Sequence, residues 1–174
     1  MQYFLVISII TKDKPGLAEH FSGMASDHGC NVEDSRMAVL GNEFAAIMMI
    51  SGDQNQIEQA EKSFNELSAD ADFQVEIRRT EGQTTHQNSM PYTIHALSLD
   101  GLGIIQQVTD FLAQRSINIE NLQTNSYKAP HTGAPMLEIQ MTVNIPGTIR
   151  IMNFRDEFAD MCDELHIDSV VEPL

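Results

Sequence analysis

The chain has no tryptophan, only two cysteines, and ten lysines and arginines set against 25 aspartates and glutamates. Each shortage excludes something. Few aromatics leave a core made mostly of Ile, Leu, Val, Met and Phe, and 42% hydrophobic residues suffice to build one. The formal charge of −15 and the scattered basic residues argue against direct nucleic-acid binding, which depends on Lys and Arg neutralising phosphates. The acidic balance fits a soluble, cytoplasmic protein that meets other proteins or small molecules. Cys30 and Cys162 belong to no CxxC pattern, so a reduced compartment is expected, with both side chains acting as buried apolar fillers. No apolar run approaches the roughly 20 residues that span a bilayer. The apolar opening from Met1 to Ile10 lacks a basic lead and a small-residue cleavage site, so it reads as a first strand rather than a signal peptide.

What the chain does have is a repeat. Ile7-Ser8-Ile9-Ile10-Thr11-Lys12-Asp13-Lys14-Pro15-Gly16-Leu17 returns as Ile94-His95-Ala96-Leu97-Ser98-Leu99-Asp100-Gly101-Leu102-Gly103-Ile104. The shift, 100 − 13 = 87, also carries Asn31-Val32-Glu33-Asp34 onto Asn118-Ile119-Glu120-Asn121. A fixed shift over such a stretch means two copies of one unit, and 174 residues hold two modules of roughly 80–90 residues.

The hydrophobic pattern gives each unit the same order. Residues 3–10 form a continuous apolar run, expected as a strand central in its sheet and covered on one face. Leu17, Phe21, Met24 and Ala25 follow at helical spacing, with Asp13 or Lys14 as the helix boundary, Pro15 in the first turn and Gly29 as C-cap. A strand from about Asn31 to Leu40, a turn at Gly41-Asn42 and a strand over Phe44–Ile50 come next. Ser51-Gly52-Asp53 is expected to open a helix with Ile57, Ala60, Phe64 and Leu67 inward, and Phe73, Val75 and Ile77 alternate as a fourth strand. The polar stretch after it, closing on Met90-Pro91, suits a linker. The second unit repeats the plan. Its strand is Tyr92–Leu99, its helix carries Ile104, Val108, Phe111 and Leu112, and its hairpin is Asn118–Tyr127 with Leu137–Val143. Ile151, Phe154, Phe158, Met161 and Leu165 line its last helix, before a strand over Ile167–Glu172. The expected architecture is α+β: two tandem ferredoxin-like βαββαβ domains, 1–80 and 91–174, joined by a linker at 81–90. Where the first unit has Gly41-Asn42, the second has a longer exposed segment, Lys128 to Pro135. It is either a partner-binding loop or a tolerated insertion.

The chemistry-bearing constellation is the turn from Asp13 to Gly16. A strand running into a glycine turn and a helix start offers free N–H groups and partial positive charge to a carboxylate. Gly16 removes a side chain where a ligand would approach, Asp13 can accept from an ammonium group, and Asn31 has both a donor and an acceptor. An α-amino acid needs that combination, and Asp100, Gly103 and Asn118 repeat it. The plainer reading is structural: Asp caps helices, Pro starts them and Gly permits packing.

The Asp-x-x-Gly turn, followed by Asn-[Val/Ile]-Glu after the helix, resembles the ACT domain, a small βαββαβ ligand-binding module of amino-acid metabolism. The resemblance covers nearly the whole chain as two copies. Within that class, Gly29 to Gly41 with Glu43-Phe44 and Ser51-Gly52 is similar to an ACT-domain family that represses the glycine cleavage genes. That resemblance implies a protein with no DNA-binding domain of its own, which contacts a LysR-type activator and is relieved by glycine. It implies a ligand loop of Asp13, Pro15 and Gly16 with Asn31 facing it, and Asp100, Gly103 and Asn118 in the second copy. ACT modules usually pair with ligand at their interface, so a pseudo-dimer within one chain and a homo-oligomer are expected.

Other readings of the topology find less support. Acylphosphatases need an Arg in the loop after the first strand, and no Arg precedes Arg36. The six histidines show no metal-ligand spacing, His20 and His28 included. Ser8, Ser35 and Ser98 have no partnering His pattern. An RNA-binding sheet would need exposed aromatics and basic residues. No enzyme activity, cofactor or metal is expected. A generic amino-acid sensor with another partner and ligand, and a pseudo-dimer with empty loops, both stay open.

Overall fold

The computed structural model describes residues 2–82 and 88–174, and the chain divides into two compact units, Met1–Thr84 and Thr85–Leu174. The first contains β1 (Tyr3–Lys12), α1 (Leu17–Asp27), β2 (Asn31–Leu40), β3 (Glu43–Gly52), α2 (Gln54–Glu66) and β4 (Gln74–Thr80), with a short 3-10 turn after α2. The second contains β5 (Ser89–Leu99), α3 (Ile104–Gln114), β6 (Asn118–Lys128), β7 (Pro135–Pro146), α4 (Ile151–Glu164) and β8 (Asp168–Pro173). Both sheets are antiparallel, in the orders β2-β3-β1-β4 and β6-β7-β5-β8. This is the βαββαβ arrangement, twice.

Alternation along the central strands explains why each sheet has one helix-covered face. Leu5, Ile7, Ile9 and Thr11 of β1 are buried with Ala46, Met48 and Ile50 of β3, under Leu17, Phe21 and Ala25 of α1 and Ile57, Ala60 and Phe64 of α2. The apolar run in β1 is therefore two-sided, and Ile10 of β1 and Ile47 of β3, on the sheet's other face, stay exposed. The second core repeats the plan with Ile94, Ala96, Val108, Leu112, Ile139, Met141, Phe154 and Phe158. Cys30 and Cys162 are free thiols buried one in each core.

The helix ends differ in chemistry. Gly29 has φ 69°, donates its N–H to Ser26, and is followed by Cys30 donating to Ala25, a Schellman C-terminus. Ser116 and His166 take the same left-handed role in the second unit, with φ 55° and 56°. At α2, Asp53 accepts from the Gln56 N–H while Gln56 Oε1 accepts from the Asp53 N–H, a reciprocal capping box.

Three expectations need correction. The first helix does not start at Asp13 or Lys14, and Pro15 is not in its first turn. Gly16 is the N-cap, at φ 93° and ψ −3°, values that match the third position of a type II turn, for which Pro15 is the natural second residue. The proline and glycine thus serve the reversal from sheet to helix. Second, Ser51 and Gly52 complete β3 instead of opening α2, because the pairing of β1 with β3 runs out to Tyr3 opposite Gly52. Third, β5 begins at Ser89, so Met90 and Pro91 are strand residues; residues 83–87 lie outside the described residues.

Candidate functional site

The turn from Asp13 to Gly16 follows the last rung of β1. The Asp13 N–H donates to the Asn42 carbonyl at 3.0 Å, tying the turn to the β2–β3 hairpin. Asp13, Lys14, Pro15 and Gly16 are all exposed, and Lys14 Nζ lies 5.5 Å over the Phe73 ring, which meets Phe21 edge-on. Gly16 closes onto the helix only through its carbonyl, which accepts from His20 at 2.9 Å. No side chain caps α1, so Asp13 is not a helix cap, and a Cβ placed on Gly16 would meet nothing within 4 Å. The helix start thus has no side-chain cap and open space beside its N-cap glycine, and an uncapped helix start suits an anion such as a carboxylate.

The second unit builds the same turn from different side chains. The Asp100 N–H donates to the Pro135 carbonyl at 2.9 Å, Gly103 has φ 85° and accepts from Gln107, and α3 again lacks a side-chain cap. Gly101 and Leu102 replace Lys14 and Pro15. Beside this turn, Ser98 is buried with no hydrogen-bond partner for its Oγ among the described residues.

Asn31 and Asn118 lie elsewhere. Asn31 pairs with Ser51, which pairs with Phe4, whereas Asp13 follows Lys12 at the other end of β1. Eight residues of strand separate the two levels, about 27 Å at the usual strand rise. Asn118, opposite Asn144 and in line with Pro91, is equally far from Asp100 within its own unit. No single unit brings the asparagine to face the ligand loop, because α1 and α3 return the chain to the far edge of the sheet.

At that far edge the repeated Asn-[Val/Ile]-Glu serves a different purpose. The register of β2 against β3 slips between Val32 and Asp34, and that of β6 against β7 between Ile119 and Asn121. The extra residue in each bulge is the glutamate, which the bulge turns toward the neighbouring strand. Glu33 accepts from the buried Ser51 hydroxyl at 2.5 Å and from the Asn31 amide at 3.1 Å, and Gln2 donates to Ser51 at 2.9 Å. The hydrogen bond from Ser51, and after it that from Asn31, holds the Glu33 carboxyl below the ordinary carboxylate range. Glu120 accepts from the Asn144 amide in the corresponding position. In the first unit this corner opens into a cleft of about 410 Å³ lined by Gln2, Gly29, Asn31, Ser51, Gly52 and Asp53. Glu33 and Glu120 were visible in the sequence as part of the repeat. Ser51 was visible only as part of the family resemblance and Asn144 carried no signal, since only the strand register sets them opposite the bulge.

Among the described residues, no three His, Cys, Asp or Glu side chains gather as metal ligands, and no helix is long and apolar enough to cross a membrane.

Comparison with known proteins converges on one group. Residues 3–78 match the ACT domain family model. The Escherichia coli glycine cleavage system transcriptional repressor is 30% identical over 165 residues, covering 95% of this chain and 87% of that protein. A crystal structure assigned provisionally as a glycine cleavage system transcriptional repressor superposes over 100% of this chain and 98% of its own, with a TM-score of 0.72 and 25% identity. A protein of unknown function from Galdieria sulphuraria superposes over 100% and 99%, with a TM-score of 0.78 and 26% identity. A chain of two such modules, similar to a transcriptional repressor across nearly its whole length, is a regulator and not an enzyme. The chain belongs to the glycine cleavage system transcriptional repressor family of ACT-domain proteins.

Proposed function

We propose that this regulator responds to an amino acid, glycine first, and represses the glycine cleavage genes by contacting a LysR-type activator in the cytoplasm without binding DNA itself. The observation that carries the ligand half is the duplicated turn. Two helices start behind a positive-φ glycine with no side-chain cap hydrogen bond, and such a start favours a carboxylate. Asp13, Pro15 and Gly16, with Asp100 and Gly103, are the proposed loop contacts; Asp13 and Asp100 would accept from the ammonium. Asn31 and Asn118 remain proposed contacts of the far corner, where Asn31 already serves Glu33. The partner half is supported by similarity to a named repressor and by the charge of −15, which disfavours a phosphate backbone as the target.

The deciding experiment is calorimetry of the full chain against glycine, with serine, alanine and threonine for comparison. Selective heat with glycine, lost in Asp13→Ala combined with Asp100→Ala, is the expected result. Binding of a larger amino acid in preference to glycine would make the chain a sensor of another ligand. No binding by any of the four would leave the loops structural and remove the ligand half.

A further inference from the structure

We infer that the end of the second unit's sheet, around Leu99, Leu102 and Tyr127, is the surface that docks the protein partner, and that it fits a partner segment with apolar side chains flanked by lysine or arginine. This rests on the reading that the chain acts through a protein partner.

The argument comes from comparing the two copies rung by rung. In the first unit the last rung joins Lys12, Glu43 and Leu40; in the second the equivalent rung joins Leu99, Met136 and Tyr127. Two rungs further in, on the same face, Ile10, Ala45, Ala38 and Gln74 are replaced by Leu97, Glu138, Asn125 and Asp168. The charges change place: the first unit carries Lys12 and Glu43 on the last rung and no charge on the inner row, whereas the second carries Leu99 and Met136 on the last rung and Glu138 and Asp168 on the inner row, with Leu40 and Tyr127 apolar in both. Leu99 is 63% exposed, Leu102 is fully exposed in the turn, and Ile105 follows it on the first turn of α3, also exposed. Leu102 stands where the first unit has Pro15, so the turn geometry does not require a large side chain there. Leucines held in water at adjoining positions mark a surface that another molecule covers.

The charges around it choose the occupant. Asp100, Glu138 and Asp168 border the apolar side chains, with Lys128 as one opposing charge on the same hairpin. A second copy would bring the same acidic rows together and add one chain of −15 to another, which like-charge repulsion opposes. A basic partner is instead attracted, and its apolar side chains find the leucines.

The test immobilises the LysR-type activator and titrates the full chain in three variants beside the wild type. They are Leu99→Ser with Leu102→Ser, Glu138→Lys with Asp168→Lys, and Ile10→Ser with Ile47→Ser as an exposed apolar control in the first unit. Five of the six side chains are exposed and Glu138 is half-buried, so thermal melts check that each variant folds. The first two variants should bind tenfold or more weakly, the charge variant with a reduced salt dependence, while the control stays within twofold of wild type. An activator that binds wild type and both patch variants alike overturns the inference and leaves the repressor reading standing. An activator that does not bind the wild type removes the repressor reading, and an amphipathic leucine-lysine helical peptide then decides the surface. Tenfold weaker peptide binding by the leucine variant supports it; equal binding overturns it. A wild-type dimer in sedimentation that the leucine variant dissociates would make the occupant a second copy, and would overturn the basic partner.

Discussion

Gly16 and Gly29 both hold positive φ, yet replacing them should cost different amounts. A Cβ on Gly16 meets open space, so Gly16→Ala carries only left-handed strain, about 1–2 kcal/mol. A Cβ on Gly29 falls 2.7 Å from Gln56 Nε2, and Gln56 is the residue that completes the α2 capping box. Gly29→Ala should therefore lose about 1 kcal/mol more, the usual worth of a cap, as measured by urea denaturation. Ser116 already sits at the matching position with φ 55°, so Ser116→Gly should stabilise the chain by about 1 kcal/mol. Asp13 behaves in the opposite way. It caps nothing, so Asp13→Ala should change stability by less than about 0.5 kcal/mol. A loss of glycine affinity in that variant would then report on the ligand and not on unfolding; a loss of 1 kcal/mol or more would restore the capping role.

At the level of elements, the bulge in β2 is the device with a pH signature. The Ser51 hydroxyl is the main cause of the low Glu33 pKa, ahead of Asn31. A carboxyl whose folded pKa is depressed contributes stability above its ordinary, unfolded value, and loses it as the pH falls through the folded value. Ser51→Ala should raise the Glu33 pKa toward 4.5, and a carboxyl-resolved NMR titration would show it; an unmoved titration would mean that the bulge, not the hydroxyl, sets the charge. The strands and their succession along the chain were readable from the sequence, because short apolar runs bounded by turn residues alternate with helical spacing; the buried face of β1 was not, since its apolar run is two-sided. The helix start was not. Asp13 and Pro15 carry helix-opening statistics, but Lys14-Pro15-Gly16-Leu17 is equally good type II turn chemistry, and the need to climb from sheet to helix layer decides between them. Nor was the place of Asn31 readable. Its nearness to the Asp13 turn was inferred from sequence order and resemblance, whereas the pairing register alone puts it at the opposite edge. The turn itself, with Gly16 and Gly103, was legible because a glycine repeated at the same offset means the same backbone need.

For the whole molecule, duplication raises the question of whether each copy is a folding unit. The two buried cores share no residue: Leu5 through Phe64 form one, and Tyr92 through Ile167 the other. Each includes several fully buried large side chains, such as Phe21 and Phe64 in the first and Phe154 and Phe158 in the second. Domains of roughly this size commonly fold alone. Residues 88–174, expressed by themselves, should therefore melt cooperatively, with the near-native helix content of α3 and α4 in circular dichroism. The cut matters more than its three residues suggest. Asn88 accepts from the Gly147 N–H at 2.8 Å, and Ser89, Met90 and Pro91 pair with Pro146, Ile145 and Asn144. A fragment beginning at Pro91 removes this end of β5, uncovers the end of β7 and exposes part of the pairing that holds Asn144 against Glu120. It should melt several degrees lower than the longer fragment, since about 1 kcal/mol shifts a domain of this size by roughly 4–8 °C. Equal melting temperatures would show that β5 gains nothing from its first residues, and a non-cooperative melt of residues 88–174 would show that the second copy depends on the first for its fold.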